Sequence, residues 1–260
     1  MDSPEGPPPR ATGFYGCFTQ ETGESGDYTD VMKLLSKTAR GARLRACTAV
    51  TATLFAAAVP ASAHVKPEPN GEEKVQIAIL LDTSGSMSGL IDQAKTQLWK
   101  IVNTFVEAER GGKTPYVEVA LYQYGNSRLH SGEHWIQLIC PLTRDLDGLS
   151  EELFSLTTSG GEEYCGAVIE RAVNELEWDP RHEVYKAVFI AGNEPFTQGP
   201  IDPVKSCRHA SKHGIFVNTI HCGGEQAGIS GGWKMGSSVA DGTFLNINHN
   251  KHVVHVEAPQ

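Results

Sequence analysis

Asp82, Ser84 and Ser86 place one carboxylate and two hydroxyls within five residues. All three are hard oxygen donors. They suit Mg2+, Mn2+ or Ca2+ better than an ion that prefers thiolate or imidazole. The tight Ser84-Gly85-Ser86 turn can bring both hydroxyls to one side. Two other chemistries compete for the same residues. Ser86 or Ser88 can cap a following helix while Asp82 complements its dipole. Ser84 or Ser86 can also serve as a hydrolase nucleophile, with His221 as one candidate base. Thr83-Ser84-Gly85, however, lacks the first glycine of a nucleophile elbow.

The loop stands between a buried strand and a helix. Lys74–Leu81 is apolar on both faces, as in a parallel strand covered by helices. Leu90, Ala94, Leu98, Ile101 and Phe105 then recur at helical spacing, and Gly111-Gly112 stops the helix. Tyr116–Tyr124 is rich in strand formers, and His134–Ile139 is expected to return as the second arm of a hairpin. Leu146–Leu156 and Glu163–Leu176 read as helices separated by Ser159-Gly160-Gly161. Lys186–Ala191 and Ile215–Ile220 read as strands, with a helix at Asp202–His213 between them. After a Gly-rich stretch, Thr243–Ile247 is the last expected strand. This alternation predicts an α/β fold, a doubly wound and mostly parallel sheet with one antiparallel edge strand and helices on both faces. Ligands of such a sheet bind at the carboxyl ends of its strands, where Asp82 stands.

In this setting Asp-x-Ser-x-Ser resembles the metal-ion-dependent adhesion site of von Willebrand factor type A domains. The likeness covers about residues 74–248. It includes the Gly160-Gly161 turn before a helix and Glu194-Pro195 after a strand. The phrases Thr158-Ser-Gly-Gly-Glu-Glu-Tyr-Cys-Gly166 and Phe189-Ile-Ala-Gly-Asn-Glu-Pro-Phe196 are similar to a secreted bacterial branch of that family. The resemblance implies a Rossmann-like fold with a metal at the top of the sheet. It also implies a non-enzymatic role, in which a partner protein or other carboxylate-bearing ligand completes the metal shell.

The sequence departs from the family pattern at two positions. Glu162 stands where the family usually places a threonine, directly after the double glycine. Gly192, followed by Asn193, stands where it usually has an aspartate. Glu162 is therefore expected to take over as an anionic metal ligand beside Asp82, Ser84 and Ser86, with Glu163 and Asn193 as secondary candidates. Exchange of Gly192 for aspartate should return the usual arrangement. In the inferred fold Cys165 and Cys222 both fall near the top of the sheet, where either a disulfide between them or two buried thiols would fit. His209 and His213, four apart, read as a solvated helix face or as two metal ligands that need others. Tyr164, Phe196 and Trp233 either rim a partner surface or pack beneath the loops.

The rest of the chain bears on location. Residues 1–31 show no periodicity and are read as an upstream extension or a disordered segment. Within 32–63, Lys33, Lys37, Arg40, Arg43 and Arg45 precede an apolar run and Pro60-Ala61-Ser62-Ala63, the order of a secretory signal. Residues 64–73 then form a polar leader, 74–248 the domain, and 249–260 a tail expected to be truncated. A secreted or periplasmic location follows from this reading. The net charge of -9 disfavours nucleic acid as a partner, and the chain lacks the roughly 18 consecutive apolar residues of a stable membrane span. The expected function is a divalent-metal-dependent binding module. A metal-free scaffold and, further off, a serine-type hydrolase are the alternatives.

Overall fold

The computed structural model describes residues 73–108 and 114–247. The expected signal segment, leader, tail and Gly111-Gly112 stop lie outside these residues, apart from Glu73 at the end of the leader.

Six strands form one sheet in the order β3-β2-β1-β4-β5-β6. They are β1 (Lys74–Asp82), β2 (Tyr116–Tyr124), β3 (Ile136–Thr143), β4 (Tyr185–Gly192), β5 (Ile215–Cys222) and β6 (Phe244–Ile247). Only β3 runs antiparallel, paired with β2 at one edge. The fold is thus the α/β, doubly wound arrangement that the alternation predicts.

β1 shows why the pattern works. Ile77, Ile79 and Leu81 enter one core, and Ala78 and Leu80 enter the other. Helices α1 (Ile91–Val106) and α2 (Leu146–Ser155) cover the first face through residues such as Leu98, Phe105 and Leu153. Helices α3 (Cys165–Glu175) and α4 (Pro203–Lys212) cover the second through Val168, Ala172, Cys207 and Ala210. Truncating a core residue such as Leu80 to alanine would cost about 2–5 kcal/mol, because the packed surroundings only partly refill the hole.

The opposite end of the sheet is tied by Asp179. Its carboxylate accepts two bonds from the Arg181 side chain (2.9 and 2.7 Å), and Lys74 lies 3.4 Å away. Its backbone N–H donates to Gln76 of β1 (2.7 Å), and its carbonyl accepts from Lys186 of β4 (2.9 Å). One turn thereby fixes the starts of both central strands.

Three expectations need correction. β3 begins at Ile136 rather than His134, because His134 and Trp135 adopt left-handed φ of 56° and 52° after a single 3-10 turn. Helix α3 begins at Cys165, and Glu162 and Glu163 lie in the loop before it. The Gly-rich stretch holds two short helices, α5 (Glu225–Ser230) and α6 (Trp233–Ser238). Six residues are too few to print a helical period. Among the described residues, no helix is long and apolar enough to cross a membrane.

Candidate metal centre

β1 neighbours β2 on one side and β4 on the other, and the chain reverses its winding between β1 and β4. Asp82 ends β1 at this switch point, where the carboxyl ends of the strands open a crevice. Its Oδ1 accepts from the Ser84 amide (2.7 Å). The Ser84 and Ser86 hydroxyls bond each other (2.9 Å), and Ser86 donates to Asn193 Oδ1 (3.0 Å). Ser84 is buried and Ser86 exposed, so the cluster opens to solvent on the Ser86 side.

None of these hydroxyls is used as a helix cap. A 3-10 turn at Gly85–Met87 separates the loop from α1, whose N-cap is Leu90 without a side-chain bond. His221 does not reach the serines either. Its Nδ1 faces the Asn246 amide (3.2 Å) and its Nε2 faces the Asn193 carbonyl (3.2 Å). The Asn246 Nδ2 donor makes Nδ1 the acceptor, so Nε2–H donates and fixes the loop after β4. The Trp233 indole supports the same loop through the Glu194 carbonyl (2.8 Å).

The fourth member of the cluster is Glu163. It is 7% exposed, and its Cγ and the Ser84 Cβ meet the same Cβ position of Gly125 at 3.0 and 3.4 Å, so the two side chains lie side by side. Glu162 is exposed instead and accepts from Gln198 (3.3 Å). Gly161 packs against the Gly125 carbonyl with no room for a Cβ, and Glu163 Cγ lies 3.0 Å from the Cβ position of Gly125, so both residues turn toward Gly125. The segment is anchored by Ser159 N–H to Thr83 O (3.0 Å), by Asn126 to Thr157 O (2.9 Å), and by buried Lys95 donating to Phe154 O (3.1 Å) and Leu156 O (2.6 Å). Gly125, at φ 76°, closes the pocket floor: a Cβ there would stand 2.9 Å from Asp82 Oδ1 and 3.0 Å from Glu163 Cγ.

Burial pushes the Asp82 carboxyl up to about 7. Bonds from Ser84 oppose the rise and the Glu163 charge adds to it. Glu163 is raised as well, first by burial and then by the nearby Glu194 carboxylate, which is the site residue that sequence reasoning passed over. Asp82 Oδ2 is buried with no well-formed hydrogen bond, and the nearby Asn193 backbone N–H only partly offsets the cost of its burial. Such a poorly satisfied acceptor is costly unless something positive meets it.

A divalent cation fits this set. Asp82 and Glu163 supply anionic oxygens, and Ser84 and Ser86 supply neutral ones. Among the described residues no group of three or more His, Cys, Asp or Glu converges on one point, so the hydroxyls are needed to complete a shell. The last residue of β4 is poorly placed to contribute a carboxylate. A Cβ on Gly192 would lie 2.6 Å from the Tyr124 hydroxyl and 3.0 Å from both Asp82 Oδ2 and Trp233. The expected return of the usual arrangement through an aspartate at 192 is therefore sterically blocked.

The Cys165–Cys222 disulfide is also corrected. Both are free, buried thiols. Cys165 lies in the core on the α3 side and Cys222 in the core on the α1 side, so the sheet separates them. Phe196 and Trp233 are buried against each other (ring centroids 5.0 Å) and pack beneath the loops. Tyr164 is half-buried, edge-on to Trp135.

The chain belongs to the von Willebrand factor type A domain family, whose profile matches residues 76–238. Several solved structures share its fold. BatB, a conserved hypothetical protein from Bacteroides thetaiotaomicron, is 15% identical with a TM-score of 0.51, over 67% of this chain and 90% of that one. Proximal thread matrix protein 1 from the mussel byssus, solved with a zinc-occupied metal-ion-dependent adhesion site, is 17% identical with a TM-score of 0.52, over 69% and 43%. The pilus adhesin SpaC from Lactobacillus rhamnosus GG is 14% identical with a TM-score of 0.52, over 70% and 29%. The chain thus spans less than half the length of the latter two. No curated protein sequence matches it.

Proposed function

We propose that this domain is an extracytoplasmic, divalent-cation-dependent binding module whose adhesion site has been rebuilt around Glu163. The observation that carries the reading is Asp82 Oδ2, buried without a well-formed hydrogen bond beside the Ser84 and Ser86 hydroxyls and a second carboxylate. Asp82, Ser84, Ser86 and Glu163 would hold Mg2+ or Mn2+, with Ca2+ as a third candidate. When bound, the ion supplies an oxygen-seeking positive centre to which a partner's carboxylate can attach. Asp82 and Glu163 provide the anionic half of the shell from within the chain. Ser86, exposed, faces the side from which a partner approaches. Asn193 orients the Ser86 hydroxyl, and His221 orients Asn193.

An anionic Glu163, one residue beyond the position where the family usually places a neutral threonine, changes the balance. The chain retains its cation with less help from a partner, and the bound ion is a weaker acceptor for a partner's carboxylate. Family membership supports binding over catalysis. The hydroxyls of Ser84 and Ser86 bond each other and Asn193, and the His221 ring is held by Asn193 and Asn246 instead, so labelling by a fluorophosphonate is not expected. The basic, then apolar, then small-residue order of 32–63 supports export, with cleavage after Ala63. A rise in melting temperature on adding Mg2+ or Mn2+, removed by EDTA, tests the reading. The opposite reading, a metal-free scaffold, predicts no rise.

A further inference from the structure

A second set of donors lies away from this cluster, between α3 and α4. His209 Nδ1 stands 2.9 Å from Glu170 Oε1, which also accepts from Asn174 (3.2 Å). His213 Nε2 stands 3.1 Å from His209 Nε2, with the two rings nearly perpendicular (74°). The geometry points to a two-imidazole site for a transition-metal ion of the Zn2+ class at His209 and His213, with Glu170 as the orienting carboxylate.

Three features carry this. First, two imidazole nitrogens each about 2.0–2.1 Å from one ion are about 2.9–3.4 Å apart, between right-angle and tetrahedral geometry, and the observed separation falls inside that range. Second, Glu170 fixes the tautomer. A carboxylate accepting from Nδ1–H leaves the His209 Nε2 lone pair facing His213, the arrangement that raises the basicity of a ligating histidine. In the metal-free molecule His213 Nε2–H donates to that lone pair. On binding, the neutral His213 ring carries its proton on Nδ1 instead, and no proton is released. Third, the site is accessible, since His213 is exposed and His209 half-buried.

The donor chemistry separates the two sites. Imidazole nitrogens favour Zn2+, Ni2+ or Cu2+, whereas the Asp82 cluster is all oxygen. They are also apart in the fold. His213 immediately precedes β5, at the end of the sheet where the parallel strands begin, and Asp82 ends β1. Two protein ligands leave open positions on the ion for water or for a donor from a partner. Glu170 belongs to α3 and both histidines follow from α4, so occupancy would also brace one helix on the other.

The test is calorimetric titration of Zn2+ into the full chain already saturated with Mg2+, comparing wild type with His209→Ala, His213→Ala and Asp82→Ala. The expected result is one Zn2+ fewer for either histidine variant and no change for Asp82→Ala. Glu170→Gln, which keeps both imidazoles, should retain the equivalent with affinity about tenfold lower. An equal number of Zn2+ bound by wild type and both histidine variants overturns the proposal. So does loss of the equivalent in Asp82→Ala alone, which assigns zinc to the oxygen cluster, and so does a wild-type chain that takes up no zinc.

Discussion

A Cβ on Gly192 would stand 2.6 Å from the Tyr124 hydroxyl. That hydroxyl cannot swing aside freely. It is fully buried, donates to the Ala191 carbonyl (3.1 Å) and lies 3.6 Å from Cys165 Sγ. The glycine is therefore part of the site's construction. Gly192→Asp should lower stability by about 1–3 kcal/mol, the usual cost of overpacking, and Tyr124→Phe in the same chain should recover part of the loss. Urea unfolding measures both. A Gly192→Asp domain as stable as wild type would mean that the strand end gives way easily.

The two neighbouring glutamates should behave differently. Glu163→Gln removes a buried carboxylate beside Ser84, so affinity for Mg2+ or Mn2+ should fall at least tenfold in a direct titration. Glu162→Gln changes an exposed side chain paired with Gln198 and should leave affinity within about twofold. Equal losses in both variants would place Glu162 in the shell as well.

Much of this was legible in the chain. The central strands are legible as short apolar runs buried on both faces, and α1 to α4 as apolar stripes that repeat over two or more turns. The Asp82 loop is legible because its chemistry is packed into five consecutive residues. The choice between Glu162 and Glu163 was not. It depends on which way a loop faces, and that is set by Gly161 packing against Gly125, 36 residues earlier. The separation of Cys165 from Cys222 was hidden for a similar reason, since nearness to the top of the sheet does not say which face a residue occupies. Glu170 beside His209 is a contact between helices, and His134 and Trp135 in left-handed conformation carry no glycine or asparagine to announce it.

Lys95 should prove structural rather than a solvated helix charge. It is 3% exposed and donates to two carbonyls at the end of α2, just before the segment that carries Glu163. Lys95→Met keeps the apolar stem and strands both carbonyls, so the expected loss is about 1–3 kcal/mol. Denaturant midpoints decide it. An unchanged midpoint would mean that water replaces the ammonium group.

Acid should loosen the opposite end of the sheet through Asp179. Hydrogen bonds from Arg181, with the Lys74 charge beside them, hold its carboxyl well below the usual carboxylate range. A depressed carboxylate contributes stability that is fully present above its unfolded value, about 3.9, and is lost as pH falls through the folded value. Asp179→Asn should therefore destabilise the domain at pH 7 and flatten the decline of stability below about pH 4. Melting curves between pH 7 and pH 3 give the comparison, and parallel declines in the two proteins would remove Asp179 from the account.

The central claim is that a cation meets Asp82 Oδ2. The most direct measurement is the melting temperature of the wild-type domain and of Asp82→Ala with millimolar Mg2+, Mn2+ or Ca2+ and with EDTA. A ligand bound only by the folded state raises stability by RT ln(1 + c/Kd), where c is the free cation concentration, so the effect grows with that concentration. The wild type should melt higher with at least one of these cations, while Asp82→Ala should fold and show no response. A wild type indifferent to all three ions, or an Asp82→Ala domain that responds equally, would contradict the account.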